Sequence, residues 1–455
     1  MIDDVIRYIG ENEKKYVEVL AKYVTYPSIA DDAENTRRCA EFLKELMENA
    51  GIETYLCETA GNPILYGELR ASDPNAPTVL FYGHYDVQPV EPLAAWTSPP
   101  FEGTIRDGRM FARGVADNKG QHLAHLFATQ AFLKTEGDVP IHCKFIFEGE
   151  EEAGSKHLPH FVTGHRDMLA CDIVYVSDGP MDKSDVPAIC FGNRGVFNFA
   201  IEVETSTTDN HSGNKGGVIP NAAWELNHLL STMIDRDGNV LIEGFYDDVQ
   251  PPTPYELELV DRMPYDPDEL ANIFGVERID LDKATYYRNL CFRPTLTINA
   301  LGCGSPDDVK NIVPARAVAK LDVRLVANQK AGRILRNIER HVAKTPLRGR
   351  VAVRHEGADM HPSKTDPGLP ICRDIVDAVR AAFGRNPVVQ PVMGGSLPND
   401  VWTEHAGLPV ISVPYANVDE ANHAPNENLR LDCYIQGIRT TAHMLNHLRG
   451  RRYGE

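Results

Sequence analysis

The sequence lacks several features that mark membrane, secreted and nucleic-acid-binding proteins. No run of about 18 apolar residues occurs in the 455-residue chain, so we expect no membrane-spanning helix. The stretch from Met1 to Tyr16 is acidic and amphipathic, without the basic and apolar segments of a secretory signal. Lys and Arg total 46 against 65 Asp and Glu, a formal charge of −19, which argues against a basic nucleic-acid-binding protein.

Paired cysteine motifs are also missing. The nine cysteines are scattered and odd in number, and none forms a C-x-x-C pair. This usage is typical of reduced, mostly buried thiols rather than of a disulfide scaffold. We therefore expect a cytoplasmic protein that binds neither membranes nor nucleic acid.

Several catalytic signatures are absent as well. The chain contains no G-x-S-x-G elbow, no H-E-x-x-H, no phosphate-binding G-x-x-x-x-G-K-[ST] and no G-x-G-x-x-G after a strand. Nucleophilic-serine, kinase-like and dinucleotide-binding functions therefore have no support.

Short apolar runs that alternate with helical patterns predict an α/β fold. A hydrophobic fraction of 42% can supply real cores, and the length suggests two to four domains. One helix is predicted before Pro27 and another from Cys39 to Ala50, with Gly51 as its end. Alternation of strands and helices favours a largely parallel sheet. The predicted strands of this sheet are Ile64 to Leu69, Thr78 to Tyr82, Ile141 to Phe147, Asp172 to Ser177 and Val410 to Tyr415.

The middle of the chain has a different pattern. Phe197 to Thr205, Pro294 to Ala300 and Ala317 to Val326 alternate apolar and polar residues, as half-buried strands do. We interpret this region as a second domain inserted into the first. The predicted boundaries are residues 1–193 and 387–455 for the first domain and 194–386 for the insertion.

Potential metal ligands follow three of the predicted strands. His84 and Asp86 come directly after one strand, Glu148 to Glu152 after the next, and Asp178 after a third. Ligands in open α/β sheets bind beyond the carboxyl ends of the strands, so these groups should converge. Asp117, just before the helical pattern that begins at Asn118, adds a fourth group.

Each of these residues has an ordinary structural explanation when taken alone. A single His is usually a loop residue, an acidic run is usually solvated, and Asp117 is a suitable helix N-cap. Their expected convergence favours a metal site over these ordinary roles, because crowded carboxylates without a cation would raise one another's pKa values and destabilise the fold.

A divalent cation resolves this repulsion. Imidazole and carboxylate ligands without cysteine suit zinc in an open catalytic site, and they also accept manganese or cobalt. Asp86 lies two residues after His84 and can orient its imidazole. Glu151 and Glu152 can divide the work: one coordinates metal while the other moves a proton during hydrolysis.

The motifs together resemble those of the M20 metallopeptidases, in the expected order along nearly the whole chain. The matching segments are Gly83-His84-Tyr85-Asp86-Val87, Trp96 with Pro99-Pro100-Phe101, Arg113-Gly114-x-x-Asp117-Asn118-Lys119-Gly120, Glu151-Glu152-Ala153-Gly154-Ser155, Asp209-Asn210-His211-Ser212-Gly213, Arg324-Leu325-Val326, Gly394-Gly395-Ser396 and Ala421-Asn422-His423.

This resemblance implies a zinc-exopeptidase-like catalytic domain with two zinc ions, interrupted by an α+β lid domain that usually also dimerises. Asp117 would bridge the metals, with His84 and Asp178 completing one site and Glu152 and His423 the other. The resemblance also implies that Glu151 is the general base and Asp86 the partner of His84, with a cis peptide bond between Asp117 and Asn118.

Further roles are implied for residues outside the metal site. His211 would reach the neighbouring subunit's active site and stabilise the oxyanion. Arg324 would hold the substrate's free carboxylate, and Gly394, Gly395 and Ser396 would offer backbone donors to it.

The closest likeness is to the carnosine-dipeptidase-like branch. In the family, Asp at position 178 is typical of peptidases that act on free-amino dipeptides, and Glu is typical of deacylases and glutamate-type carboxypeptidases. Gly244 to Val249 and Arg293 to Leu296 also match this branch. The loop from Gly302 to Pro314 departs from it: the loop is shortened and carries Lys310-Asn311 where the branch often has Lys-Thr, which makes Asn311 a candidate substrate contact.

With what the resemblance implies, the leading hypothesis is a homodimeric di-zinc hydrolase of dipeptides or similar small amides with a free carboxylate. A water between the metals would attack the carbonyl, with Glu151 as base. One alternative is an N-acyl-amino-acid deacylase or related amidohydrolase that uses the same site. Another is a non-catalytic zinc-binding protein, in which the cluster serves structure or regulation.

Overall fold

The computed structural model describes residues 2–182, 186–304 and 310–453. Fourteen α-helices lie in these ranges: α1 Ile2–Glu11, α2 Glu13–Tyr23, α3 Ala33–Asn49, α4 Gly120–Glu136, α5 Leu158–Gly164, α6 Arg166–Leu169, α7 Ser212–Lys215, α8 Ala222–Met233, α9 Pro254–Arg262, α10 Pro267–Phe274, α11 Lys283–Phe292, α12 Ala331–Lys344, α13 Pro370–Phe383 and α14 Leu431–Leu448. Part of the predicted Gly302 to Pro314 loop falls on 305–309, outside the described residues.

The strands of the same ranges are β1 Glu53–Cys57, β2 Ile64–Leu69, β3 Thr78–His84, β4 Thr104–Arg106, β5 Arg109–Phe111, β6 His142–Glu148, β7 Ile173–Val176, β8 Ala188–Cys190, β9 Gly192–Asn193, β10 Gly195–Glu204, β11 Asn210–His211, β12 Thr295–Cys303, β13 Ile312–Val313, β14 Arg316–Leu325, β15 Arg350–Met360, β16 Ser363–Lys364, β17 Val388–Gln390, β18 Val410–Ser412 and β19 Asn428–Arg430.

An eight-stranded mixed sheet forms the larger layer, in the order β1-β2-β6-β3-β7-β18-β8-β17. Its central strands are parallel: β3 pairs with β6 and β7, and β7 pairs with β18. The predicted fold class is therefore confirmed. No helix of the described residues combines the length and the apolar character needed to cross a bilayer.

Both faces of the central strands are buried, which explains why the sequences of these strands are continuous apolar runs. Val79 and Phe81 of β3 face a core that includes α4, α13 and α14. Leu80 and Tyr82, which alternate with them, pack against α5 and Trp402 on the opposite face. Successive side chains of a strand point to opposite faces, so one seven-residue strand serves two cores.

A four-stranded antiparallel sheet, ordered β12-β14-β10-β15, forms a separate layer. Phe197, Phe199 and Ile201 of β10 pack on residues of α8 and α12, such as Leu229 and Ile334. The intervening residues of β10 face away from this core, as the alternating sequence predicts.

The predicted domain boundaries stay predictions. β8 belongs to the eight-stranded sheet and β10 to the four-stranded one, in keeping with a boundary near residue 194. Ile371 and Ile375 of α13 lie in the core of the larger layer. This packing favours a return to the first domain before α13, earlier than residue 387.

Candidate active site

Strand ends deliver the predicted ligands to one edge of the large sheet. His84 is the last residue of β3, and Asp86 follows two residues later. Glu151 and Glu152 lie in a short turn after β6, and Asp178 comes two residues after β7. Because β3, β6 and β7 are adjacent and parallel, their carboxyl ends meet in one crevice.

Asp117 lies at the centre of this crevice and contacts two imidazoles. Its Oδ1 is 2.9 Å from His84 Nε2, and its Oδ2 is 3.1 Å from His423 Nε2. Asp178 Oδ2 lies 3.5 Å from His84 Nε2, and Glu152 Oε2 lies 3.1 Å from His423 Nε2. The five predicted ligands therefore come together as two groups that share Asp117.

Each group offers three ligand atoms within 4.8 Å of one another. The first group is His84, Asp117 and Asp178, and the second is Asp117, Glu152 and His423. Glu151 belongs to neither group among the described residues, although it is adjacent in sequence to Glu152. This arrangement suits two cation sites that share the Asp117 carboxylate, with the Glu151 carboxyl near both sites but part of neither.

The carboxylates of the two ligand groups favour positive charge on the neighbouring histidines. Burial lowers the pKa of His84, but hydrogen bonds to Asp117, Asp178 and Asp86 outweigh it and hold that pKa well above its ordinary value. Hydrogen bonds to Asp117 and Glu152 raise the pKa of His423 to about 10. A dication bound between these groups would compensate the same carboxylates and would require both imidazoles to offer an unprotonated nitrogen.

Glu151 has the electrostatic environment of a proton carrier. Burial raises the pKa of its carboxyl well above the ordinary value, and the nearby charges of Asp178 and Asp117 add to the shift, against an opposing effect of His84. Burial, followed by the charge of Asp117, also raises the pKa of Asp178.

Asp86 fastens the turn that carries both glutamates. Its Oδ1 accepts the Glu151 N–H at 3.2 Å, and its Oδ2 accepts the Glu152 N–H at 2.9 Å. The same carboxylate lies 3.4 Å from His84 Nδ1. Asp86 is fully buried, so it orients the imidazole and the glutamate turn together.

Two residues that support the site were not identified from the sequence. Gln88 Nε2 donates to Glu152 Oε2 at 2.8 Å. Glu427 is fully buried and accepts four hydrogen bonds from the segment around Asp117, one of them from the Asp117 N–H at 3.1 Å. The one available signal for Glu427 was its position, four residues after His423.

The peptide bond between Asp117 and Asn118 is cis. Asn118 Nδ2 donates to the Ser177 carbonyl oxygen at 2.6 Å. This contact ties the Asp117 segment to the end of β7, next to Asp178.

The other predicted site residues lie in two places. Arg324 Nη1 donates to Ser396 Oγ at 2.9 Å, so the predicted carboxylate-binding arginine contacts the loop of Gly394, Gly395 and Ser396. His211 is exposed, and no hydrogen bond or ion pair joins it to the ligand groups within the described part of this chain. Its neighbour Ser212 donates its N–H to the Asn311 carbonyl oxygen at 2.9 Å.

Comparisons with known proteins agree with this geometry. The model of peptidase family M20/M25/M40 matches residues 80–447. The human Beta-Ala-His dipeptidase is 29% identical over 97% of this chain and 92% of that protein. The Cys-Gly metallodipeptidase of Schizosaccharomyces pombe is 28% identical over 96% of each chain.

The solved structure of an M20 family metallo-carboxypeptidase from Sulfolobus solfataricus superposes with a TM-score of 0.84. It is 31% identical, and the match covers 95% of this chain and 99% of that one. The family predicted from the motifs is therefore confirmed. The chain belongs to peptidase family M20/M25/M40 and is a metallopeptidase.

Proposed function

We propose that this protein hydrolyses dipeptides, or closely similar small amides, that have a free carboxylate. The observation that carries this proposal is the sharing of Asp117 between two ligand groups, with Glu151 beside them and in neither. Relatives that align along nearly the whole chain are named Beta-Ala-His dipeptidase and Cys-Gly metallodipeptidase, which supports dipeptides as the substrate class.

Two zinc ions are the proposed cofactor. Two imidazoles and three carboxylates provide the nitrogen and oxygen ligands that zinc accepts, and manganese and cobalt also fit this donor set. His84, Asp117 and Asp178 would hold one ion, and Asp117, Glu152 and His423 the other. Ions bound there would polarise the amide carbonyl and lower the pKa of water.

The chain's own residues would then carry out proton transfer and orientation. The Glu151 carboxylate would accept a proton from the attacking water and deliver it to the leaving nitrogen. Asp86 holds the Glu151 N–H, so it would fix the position from which that transfer occurs. Arg324, near Ser396, would bind the free carboxylate of the substrate.

A dipeptide panel with matched N-acylated compounds tests the substrate class. We expect the protein loaded with zinc to hydrolyse unblocked dipeptides faster than their N-acyl forms. The reverse preference would indicate the alternative deacylase function, and bound metal without hydrolysis of either set would indicate a non-catalytic protein. Metal analysis of the same sample should find two ions per chain.

Glu151→Gln tests the general base. The variant should keep both metal ions and lose about 100- to 10,000-fold in kcat, the usual contribution of a positioned acid or base. Glu150→Gln is a matched control, because Glu150 pairs with His157 instead. A Glu151→Gln enzyme that remained fully active would contradict the assignment.

A homodimer is also proposed, with His211 acting across the interface. The edge strand β12 exposes Ile298 and Leu301, and α8 exposes Trp224 with 62% of its surface accessible. Unpaired strand edges and exposed apolar groups favour association with another chain. His211 is exposed in the two-stranded sheet of β11 and β13, and within the described residues no hydrogen bond or ion pair joins it to the ligand groups of its own chain.

Subunit exchange tests the role of His211. Homodimers of His211→Ala and of Glu151→Gln should each be nearly inactive. Mixing them under exchange conditions should restore part of the activity, because each heterodimer then contains one intact composite site. Proven exchange without recovery would contradict a role for His211 in the partner's site.

A cytoplasmic location is proposed on the state of the cysteines. All nine lie in the described ranges, none of them forms a disulfide, and Cys303 is exposed. Thiols outside disulfides are typical of a reducing compartment. Fractionation of the native host should find the protein with cytoplasmic markers; recovery from an oxidising compartment would contradict this.

A further inference from the structure

A second arginine, Arg194, contacts the loop that Arg324 contacts. Arg194 Nε donates a hydrogen bond of 3.0 Å to the Gly394 carbonyl oxygen. Arg324 Nη1 donates to Ser396 Oγ, two residues further along, at 2.9 Å. A Cβ on Gly394 would lie 3.3 Å from Arg194 Nη2, so the end of this guanidinium lies against the loop. Two guanidinium groups therefore meet at one three-residue loop.

Positive charge around this loop is in excess. The charged groups that act on Arg194 include Arg324 and Asp322. Asp322 Oδ2 lies 3.8 Å from Arg324 Nε, and no carboxylate of the described residues forms an ion pair with Arg194 itself. Two guanidinium groups against one carboxylate leave one positive charge unmatched. Burial, and then the charge of Arg324, lower the pKa of Arg194, as expected for a cation without a counter-ion.

We propose that Arg194 is a second residue that binds the substrate's free carboxylate, and that the substrate supplies the missing negative charge. This inference rests on the proposed function and adds a residue that determines specificity for a free carboxylate. One carboxylate has two oxygens with about four acceptor positions, enough for donors from both guanidinium groups. Arg194 retains four N–H donors beyond the one that binds Gly394.

The test compares the best dipeptide of the panel with its C-terminal amide. In Arg194→Gln, kcat/KM for the free dipeptide should fall about 10- to 100-fold, the range for a hydrogen bond to a charged group, mainly through KM. The amide lacks the negative charge, so its kcat/KM should change by less than about 3-fold. The preference for the free carboxylate should therefore shrink by about the same factor as the dipeptide activity.

Equal losses on both substrates would overturn the inference, because they would show that Arg194 only holds the loop in place. Arg194→Lys keeps the charge and should retain more of the preference than Arg194→Gln. If Arg194→Gln does not fold, Arg194→Lys is used to compare the free dipeptide with its amide. Arg316→Gln, at the far end of the strand of Arg324, is the matched control and should leave both activities unchanged.

Inhibition by the reaction product gives a second readout. The free amino acid released from the carboxyl side should inhibit the wild-type enzyme more strongly than its amide, and Arg194→Gln should remove most of that difference. A wild-type enzyme that prefers free dipeptides to their amides, together with an Arg194→Gln variant that keeps this preference in full, would contradict this inference alone. A wild-type enzyme that cleaves no dipeptide would contradict the proposed function, and the inference with it.

Discussion

Glu427→Gln should weaken both the fold and the metal site. The Glu427 carboxylate accepts hydrogen bonds from Arg113 Nη1 at 2.8 Å and from the N–H groups of Gly114, Ala116 and Asp117 at 2.9, 3.0 and 3.1 Å. Glu427 and Arg113 are both almost completely buried. One carboxylate thus holds the whole segment that presents Asp117 to the two ligand groups.

The expected loss of stability follows from these contacts. Glutamine replaces one acceptor oxygen with an NH2 donor, which then faces N–H groups that also donate. Arg113 at the same time loses its buried counter-charge. Removing one partner of a buried ion pair costs about 3–5 kcal/mol, and we expect the free energy of unfolding to fall by about this amount. The backbone N–H groups that lose an acceptor belong to the same hydrogen-bond network as Arg113, so we add no separate free-energy cost for them.

Urea unfolding and metal titration measure the two effects. The affinity for metal should fall about 10- to 100-fold, as is usual when a residue that supports a ligand is removed. Glu204→Gln is the control, since Glu204 also forms ion pairs with arginine, in its case Arg316 and Arg350, but at the surface. Its unfolding midpoint should not change. A Glu427→Gln variant with wild-type stability and metal affinity would refute this reasoning.

Three further predictions concern the same region. Asp86→Asn should lower metal affinity about 10-fold or more in a titration, since one oxygen that accepts a glutamate N–H becomes a donor; unchanged affinity would contradict its orienting role. Removal of metal by a chelator should abolish hydrolysis and lower the Tm, and zinc should restore both, whereas a stripped protein with full activity would exclude the proposed cofactor. Burial, and then the charge of Asp117, raise the pKa of Glu420 to about 9, and neither carboxylate oxygen of Glu420 has a hydrogen-bond partner among the described residues. Since this pKa is higher in the folded state than in the unfolded state, the Tm of the metal-free protein should fall as the pH rises from about 5 to 9. Glu420→Gln should make that fall smaller. Parallel curves of Tm against pH for the wild type and the variant would contradict this prediction.

The larger sheet was predictable because its central strands are buried on both faces. The predicted strand Ile64 to Leu69 matches β2 residue for residue, since its apolar run is interrupted by turn residues at both ends. The first predicted helix is two helices instead, α1 and α2, which meet at Asn12. Periodicity alone does not show this interruption, because both helices present apolar residues to the same core.

The edge strand β15 was not predicted, although β12, at the opposite edge of the same sheet, corresponds to the predicted strand Pro294 to Ala300. β15, Arg350–Met360, carries many charged residues and packs as the outer strand of the four-stranded sheet, so its apolar alternation is weak. Edge strands are stabilised by pairing with a neighbour, here β10, and that pairing is a contact between distant parts of the chain.

The ligand groups were easier to predict than the residues that hold them. His84 and Asp178 follow recognisable strands, and topology brings strand ends together. Glu427 and Arg194 act through contacts with residues about 200 to 310 positions away in sequence. Their roles depend on three-dimensional packing that no local pattern encodes.

Anomalous diffraction from crystals of the zinc-loaded protein tests the central claim most directly. Two zinc peaks should appear about 3.5–4 Å apart, the separation typical of two-metal sites. One oxygen of Asp117 should coordinate each ion, with His84 and His423 on opposite sides and Glu151 bound to neither. A single peak, or peaks that lie away from Asp117, would contradict the account.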